Sequence, residues 1–266
     1  MVLLARIKGA ETVIKAGSYS VAQGITPLQL VAKMTRGEVT QGELMLPEGW
    51  AFRQWRARID QHPNLQHLTT TLSEAELLAK LGIPANSIEG LLFPDTYLFD
   101  KQSTDLELYG RAYRAMQIRL DAAWVQRAAG LPYKTPYEAL IMASIVEKET
   151  GRESDRPMIA SVFTNRLRSG MLLQTDPTVI YGLGTSFDGN LRKRHLQTDT
   201  PYNTYTRAGL PPSPIAMPGM ASIQAALNPA QSESLYFVAR GDGTSQFSRT
   251  LDEHNRAVNK YQRGAK

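Results

Sequence analysis

The sequence contains no cysteine, which excludes disulfide bonds, thiol catalysis and metal sites built on thiolates. It has neither a G-x-S-x-G elbow nor a P-loop, so a serine hydrolase and a P-loop nucleotide site are not expected. Its four histidines show no metal-ligand spacing such as H-E-x-x-H; they are His62, His67, His195 and His254. We therefore expect neither a metal ion nor a cofactor.

Long apolar runs are also missing. No stretch approaches the ~20 apolar residues that a helix needs to cross a bilayer. The opening MVLLARIKGA is too short in its apolar part for a signal peptide. With 42% hydrophobic and 21% charged residues among 266, the composition is that of a folded globular protein. This length suffices for one large domain, or for a catalytic domain with a small accessory module.

The charge balance is moderately basic, with 30 Lys+Arg against 25 Asp+Glu and a net charge of +5. The basic residues are dispersed, and the densest cluster is only Arg192 to Arg194. Such dispersion indicates a solvated surface of mixed charge. No basic motif studded with aromatic residues occurs, so nucleic acid is not an expected partner.

Hydrophobic periodicity and capping signals predict an α+β protein. The first 60 or so residues have the pattern of a small αβ module. It comprises strand-like stretches at 12–14 and 18–21, a helix from Thr26-Pro27 to Gly37 and a strand at 44–46. Further helices are expected at 51–60, 73–81 and 104–129, with strand and loop at 89–99.

The C-terminal half contains two more predicted helices. The first begins with Thr135 as N-cap, Pro136 and Glu138 and ends at Gly151; the second covers about 154–170. Residues 171–220 show little regular pattern, which is typical of a binding surface. A strand at 235–239, a Gly-Asp-Gly turn at 241–243 and a return strand predict a β-hairpin, followed by a helix from about 251.

The helix at LIMASIVEKETG (140–151) offers the best candidate catalyst. Its apolar residues occur on all sides, so it should be buried on all sides. Glu147 and Glu149 extend this run on roughly opposite faces. Glu147 lies above the small Ala143 and Ser144, which leave space beside its carboxyl group. Glu147 is therefore the better candidate to face a cleft.

A carboxylic acid at the end of an apolar helix is poorly solvated, which favours its neutral form. An acid that keeps its proton at neutral pH can donate it to a leaving group, as glycosidic cleavage requires. The position alone leaves a structural alternative open. In that alternative Glu147 caps the helix or forms a salt bridge with Lys148 or with an arginine of the next helix.

Downstream segments offer polar and aromatic side chains that suit a sugar polymer. Amides and hydroxyls bind sugar hydroxyls and N-acetyl groups, and aromatic rings stack on pyranose faces. The candidate substrate-binding residues are Gln174, Asp176, Tyr202, Asn203 and Tyr205. The alternative is that Asp176-Pro177 and Tyr202-Asn203 shape turns, and for Asp95 the turn role is favoured.

Six segments resemble the MltG, or YceG-like, family of endolytic murein transglycosylases. They keep the family order over nearly the whole chain and are LMLPEGW (44–50), EGLLFPDTY (89–97), ASIVEKET (143–150), LQTDPTVIYG (173–182), TPYNTYTRAGLPP (200–212) and YFVARGDGTSQF (236–247). The resemblance implies a small LysM-like αβ module, here residues 1–67, before a mixed α+β catalytic domain, here 68–266. The predicted buried helix that carries Glu147 and the predicted C-terminal β-hairpin both fall within this catalytic domain.

The resemblance also implies a reaction. The MurNAc–GlcNAc β-1,4 bond within peptidoglycan strands would be cleaved without water, leaving a 1,6-anhydro-MurNAc end. The family's catalytic glutamate matches Glu147, which would act first as the acid and then as the base. A hydrolytic muramidase and a non-catalytic peptidoglycan-binding envelope scaffold are the alternatives.

Location and partners follow from the same resemblance. Family members carry an N-terminal membrane helix, which this sequence lacks. We expect the chain to be the soluble part of a protein anchored in the inner membrane, with its catalytic domain in the periplasm. Expected partners are nascent glycan strands, whose length the enzyme would set, and peptidoglycan synthases of the penicillin-binding type.

Overall fold

The computed structural model describes residues 13–15, 19, 21–37 and 41–263. Within these ranges it contains ten α-helices and two small antiparallel sheets, so the chain is a mixed α+β protein, as predicted. Of the strands predicted at 12–14 and 18–21, positions 12, 18 and 20 lie outside the described residues, and positions 13, 14, 19 and 21 are described but belong to no strand.

The N-terminal half contains helix α1 (Pro27–Arg36), strand β1 (Gln41–Leu46), helices α2 (Phe52–Asp60) and α3 (Glu74–Leu81), strand β2 (Asp95–Asp100) and helix α4 (Asp105–Val125). Local sequence sets most of these limits. For α3, the Ser73 hydroxyl accepts the Glu76 N–H at 3.2 Å, and Gly82, with φ of 65°, ends the helix. Helix α4 is shorter than predicted, because Ala128 N–H donates to the Leu227 carbonyl at 2.9 Å instead of continuing the helix.

The C-terminal half contains helices α5 (Pro136–Glu149), α6 (Arg156–Arg168), α7 (Asp176–Leu183), α8 (Lys193–Gln197) and α9 (Met220–Leu227), strands β3 (Tyr236–Ala239) and β4 (Ser245–Ser248), and helix α10 (Leu251–Val258). The Thr135 hydroxyl accepts the Glu138 N–H at 3.2 Å and caps α5, as predicted. Residues 171–220 are more regular than expected, because Asp176-Pro177 begins α7 in a segment rich in turn residues.

Strands β1 and β2 pair antiparallel although about fifty residues separate them, with Leu44 opposite Tyr97. Along β1 the residues from Gly42 to Leu46 alternate between buried and exposed, which is the period of a strand with one face on the core. Gly42 is required there, because a β-carbon would lie 2.5 Å from the Phe99 ring. The pair joins segments on both sides of residue 67, where the predicted domain boundary stays a prediction.

Helix α5 is the centre of the hydrophobic core. Its residues from Ala139 to Val146 are all buried, as its apolar sequence predicted. Helix α9 packs against both α5 and α6, and Trp55 and Ile59 of α2 belong to the same core. The last turn of α5 emerges from this core, and it carries Glu147.

The C-terminal strands β3 and β4 pair antiparallel, with Tyr236 opposite Ser248. Gly241 and Gly243 adopt positive φ of 88° and 83° in the connecting turn, a conformation that glycine enters without steric cost. Among the described residues, no helix is both long and apolar enough to cross a membrane.

Candidate active site

Glu147 lies in the last turn of α5, and only 5% of its side chain is exposed. Its Oε2 accepts two hydrogen bonds, from the Gly219 backbone N–H at 3.0 Å and from the Ser222 hydroxyl at 2.7 Å. Both donors belong to the N-terminal end of α9, since Gly219 is its N-cap. The contact between α9 and α5 therefore places two donors on one carboxylate oxygen.

The other oxygen of Glu147 faces an arginine. Arg156 begins α6, and its Nη2 lies 3.4 Å from Glu147 Oε1 and 3.6 Å from Glu48 Oε1. The arginine side chain is 8% exposed, whereas that of Glu48 is 50% exposed. An arginine of the next helix does therefore contact Glu147, together with the two donors from α9.

The segment Pro47–Trp50 runs beside this carboxylate. Gly49 N–H donates to the Met217 carbonyl at 2.8 Å, and Met217 N–H donates to the Trp50 carbonyl at 2.9 Å. Lys148 Nζ donates to the Gly49 carbonyl at 3.1 Å, so its ammonium is hydrogen-bonded to this segment. A β-carbon on Gly49 would lie 3.8 Å from Glu147 Oε1, which shows how closely the backbone approaches.

Glu48 rests on Gly219. A β-carbon added to Gly219 would lie 1.7 Å from Glu48 Oε2, so any larger residue would displace that carboxylate. Burial and the charge of Glu147 raise the pKa of Glu48, while Arg156 lowers it. The two glutamates and the arginine thus form one electrostatic unit at the end of α5.

A groove of about 550 Å³ lies beside this unit. Its walls come from the α2 start, the end of α5 and helix α7, and they include Gly49, Arg53, Lys148, Ile180, Tyr181 and Tyr202. Cationic, apolar and aromatic side chains meet in it. Such a surface suits a ligand that has flat apolar faces and polar edges.

Glu89 lines the same groove and is almost fully buried. Its two oxygens accept the Phe52 N–H at 3.0 and 3.1 Å, and Tyr181 donates its hydroxyl to Oε2 at 3.2 Å. Burial raises the pKa of Glu89 to about 7, although both donors oppose the shift. The carboxyl group therefore caps the N-terminus of α2 and titrates near neutral pH.

Two predicted substrate-binding residues lie near this groove, in different roles. The Tyr202 ring lines the groove in an edge-on contact with Tyr181, and its hydroxyl is 2.7 Å from that of Ser213. Asn203 is fully buried, and its amide donates to three backbone carbonyls, those of His195, Leu196 and Thr198. Asn203 therefore holds the loop that presents Tyr202.

The other three predicted residues, Gln174, Asp176 and Tyr205, line a separate pocket of about 340 Å³ together with Glu149. Tyr205 donates its hydroxyl to Asp176 Oδ1 at 2.5 Å, and Glu149 accepts a hydrogen bond from the Thr175 hydroxyl. Burial raises the pKa of Glu149. The structure thus divides the five residues between two places instead of bringing them together around Glu147.

One cluster has the composition of a metal site. Ligand atoms of Asp60, His67 and Asp105 lie within 4.8 Å of one another. The Asp105 carboxylate already accepts the Thr69 N–H at 3.0 Å and the Thr69 hydroxyl at 2.7 Å, and Arg56 lies 3.9 Å from Asp60. Arg56 of α2 also donates to the Thr69 carbonyl at 3.0 Å, so α2 and α4 are both hydrogen-bonded to Thr69 and the cluster has a structural role.

Sequence reasoning missed three groups around Glu147 and did not identify a fourth by number. Gly219 and Ser222 are 72 and 75 positions away, and no local pattern connects them to α5. Glu48 lies within the LMLPEGW segment (44–50), but only the fold makes it a neighbour of Glu147. Arg156 was foreseen only as an unnamed arginine of the next helix.

Comparison with known proteins gives concordant matches. A sequence model of the YceG-like family matches residues 1–260. The chain is 35% identical, over 96% of its length, to the endolytic murein transglycosylase of Bacillus subtilis and spans 75% of that protein. It is 29% identical, over 93% of its length, to the protein of the same name from Streptococcus pneumoniae strain D39, of which it spans half (50%).

A solved structure resembles the fold. The crystal structure of a YceG-like protein from Listeria monocytogenes superimposes with a TM-score of 0.67 at 31% identity. The match covers 96% of this chain and 88% of the other. Architecture and sequence thus point to the same set of relatives.

Proposed function

The chain belongs to the YceG-like family, and we propose that it is a murein transglycosylase whose catalytic acid and base is Glu147. The observation that carries this proposal is the geometry of one carboxylate. Glu147 is nearly buried at the end of a core helix, and two fixed donors point at its Oε2. A carboxyl group held in this way is oriented before the substrate arrives.

The proposed reaction cleaves the MurNAc–GlcNAc β-1,4 bond within a glycan strand. Protonated Glu147 donates its proton to the glycosidic oxygen, and the bond from that oxygen to C1 of MurNAc breaks. The carboxylate then removes the proton from the C6 hydroxyl, and O6 bonds to C1. Glu147 ends protonated, the GlcNAc 4-hydroxyl leaves, and no water is consumed. The product is a 1,6-anhydro-MurNAc end.

The hydrogen bonds from α9 support this cycle. As the proton leaves, negative charge develops on Glu147, and Gly219 N–H and the Ser222 hydroxyl already point at it. Prearranged donors of this kind stabilise developing charge without reorganisation. One carboxyl group suffices as acid and base, unlike the pair that ordinary glycosidases use. The substrate's own N-acetyl group would stabilise the positive charge that develops on the sugar as the bond breaks.

The groove beside Gly49 is the proposed path of the glycan strand. Tyr181 and Tyr202 offer ring surface for pyranose faces, and Arg53 and Lys148 offer positive charge for the carboxylate of a muramyl lactyl group or stem peptide. The pocket of Gln174, Asp176 and Tyr205 is proposed as a more distant contact for the substrate.

We further propose a setting for this activity. The family resemblance favours a site in the cell envelope, on the periplasmic side of the inner membrane, next to peptidoglycan synthases that supply nascent strands. Cleavage there would set glycan length. It also favours a LysM-like role for the first 67 residues, either in binding glycan or in orienting the catalytic part.

Product analysis tests the proposed function. Purified protein is incubated with uncrosslinked glycan strands, and the products are analysed by mass spectrometry. Strands that shorten from within and carry anhydro ends support the transglycosylase. Ends heavier by one water identify a muramidase, and binding without shortening identifies a scaffold; either result overturns the proposal.

A further inference from the structure

Arg156 sits between two carboxylates without forming a tight pair with either. Its Nη2 is 3.4 Å from Glu147 and 3.6 Å from Glu48. Charge-assisted N–H···O bonds are usually about 2.7–2.9 Å long, so both contacts are loose. Its Nε is buried and has no hydrogen-bond partner within the described part of the chain. The guanidinium can therefore move towards either carboxylate without breaking a strong bond.

The two carboxylates differ in the way they are held. Glu147 is fixed by two donors on its other oxygen, whereas Glu48 is half exposed and rests on the bare backbone of Gly219. The electrostatic field of Glu147 reaches Glu48, since that charge is the second largest cause of the raised pKa of Glu48. Glu48 is thus the adjustable member of the pair.

We propose that Glu48 is a positioning residue for the cleavage at Glu147: it holds Arg156 while Glu147 carries its proton, and it releases the arginine to Glu147 once the proton has left. This inference rests on the proposed function and adds a residue to it. Glu48 touches no reacting atom in this scheme. Its effect passes through Arg156.

Electrostatics gives the reason. If Glu48 had no charge, Arg156 would pair with Glu147 permanently and would favour its ionised form before the reaction, when the acid is needed. When Glu48 is charged, Arg156 is shared between the two carboxylates. The free energy needed to protonate Glu147 is then lower than it would be beside an uncharged Glu48. Two further charged groups near the pair are Glu153, whose charge reaches Glu48, and Lys148, whose ammonium is bound by the Gly49 carbonyl.

The pH–rate profile of Glu48→Gln tests the proposal, measured as release of anhydro ends from glycan strands. We expect the alkaline limb to move to lower pH by about one unit, so that activity falls about tenfold above neutral pH and is largely kept in acid. Glu153→Gln is the matched control, because it removes the same charge from the adjacent exposed turn; its profile should move far less. A Glu48→Gln profile that coincides with the wild type, or that falls equally at every pH, overturns the proposal.

Gly219→Ala provides a second way to remove the Glu48 carboxylate from Arg156. Gly219 has φ of −77°, which alanine adopts freely, and its N–H is retained, so the new β-carbon acts on the end of the Glu48 side chain. The profile should move in the same direction as that of Glu48→Gln. In the Glu48→Gln background, Gly219→Ala should add little, because the group it displaces is already uncharged. Full additivity contradicts the proposal.

Failure of the proposed function can be distinguished from failure of the inference about Glu48. If the wild-type protein releases no anhydro ends, that function fails, and carbon-13 NMR of labelled glutamate carboxyl groups decides the inference without substrate. The Glu48 signal should then titrate at lower pH in Glu147→Gln than in the wild type, because the charge of Glu147 raises the pKa of Glu48 and Arg156 lowers it. An unchanged titration overturns the sharing of Arg156.

Discussion

Ser222 donates its hydroxyl to Oε2 of Glu147 over 2.7 Å, although 75 positions separate the two residues in the sequence. The bond links the first turn of α9 to the last turn of α5. Ser222 is fully buried, so water does not compete for its hydroxyl. The packing of two core helices thus fixes the orientation of the candidate catalyst.

Replacing Ser222 by alanine should slow cleavage without unfolding the protein. The variant loses one hydrogen bond to the carboxylate that forms as the proton leaves, and such a bond contributes about 1.5–3 kcal/mol. We expect the rate of anhydro-end release to fall about tenfold or more, with little change in substrate affinity.

Ser161→Ala is the matched control for this substitution. Ser161 is also a buried helical serine, and its hydroxyl makes a long contact of 3.5 Å with the Ser232 carbonyl. Its loss should leave the cleavage rate close to that of the wild type. Equal losses in the two variants would attribute the effect to packing instead of to Glu147.

Glu89 should make stability depend on pH. Its pKa is about 7 in the folded protein against an ordinary value of 4.5, so the folded state binds the proton more tightly than the unfolded state does. The resulting stabilisation is fully present below pH 4.5 and is lost as the pH rises through 7.

Denaturant unfolding of the wild type and Glu89→Gln between about pH 4 and about pH 8 measures this effect. Glutamine keeps an acceptor for the Phe52 N–H, so the variant should fold. The free energy of unfolding of the wild type should fall relative to the variant by about 3 kcal/mol across that range. A constant difference would show that burial does not hold the proton on Glu89.

Substitutions of Tyr202 and Tyr205 test which of the two pockets binds the glycan strand. Tyr202 lines the groove beside Gly49, whereas Tyr205 lines the pocket that contains Glu149. Tyr202→Leu should raise the KM for glycan strands severalfold, since stacking of a ring on a sugar is lost. Tyr205→Leu should have the smaller effect. The reverse order would place the strand in the second pocket.

Local sequence was sufficient where a structure depends on its neighbours in the chain. Residues next to the helix ends predict that Thr135 caps α5 and that Gly82 ends α3. The uniform apolar character of α5 predicts that it is buried. Periodicity failed at α7, because Asp176-Pro177 begins a helix as readily as a turn and the surrounding residues favour turns.

The site depended on contacts that no local pattern encodes. Glu147 was singled out by its small neighbours, but its donors come from α9 and its arginine from α6. The five candidate substrate residues were chosen by chemical type, and the fold separates Tyr202 from Gln174 and buries Asn203. Chemical suitability alone did not reveal which of them face the same space.

The most direct test compares Glu147→Gln with Glu149→Gln in the release of anhydro-ended glycan. Glutamine at 147 keeps an oxygen for the Ser222 and Gly219 donors, so the fold should persist, but it has no acidic proton to give. We predict a loss of about 10³-fold or more in Glu147→Gln and near wild-type release in Glu149→Gln, whose side chain faces the other pocket. Full activity in a folded Glu147→Gln variant would contradict the assignment of the catalyst.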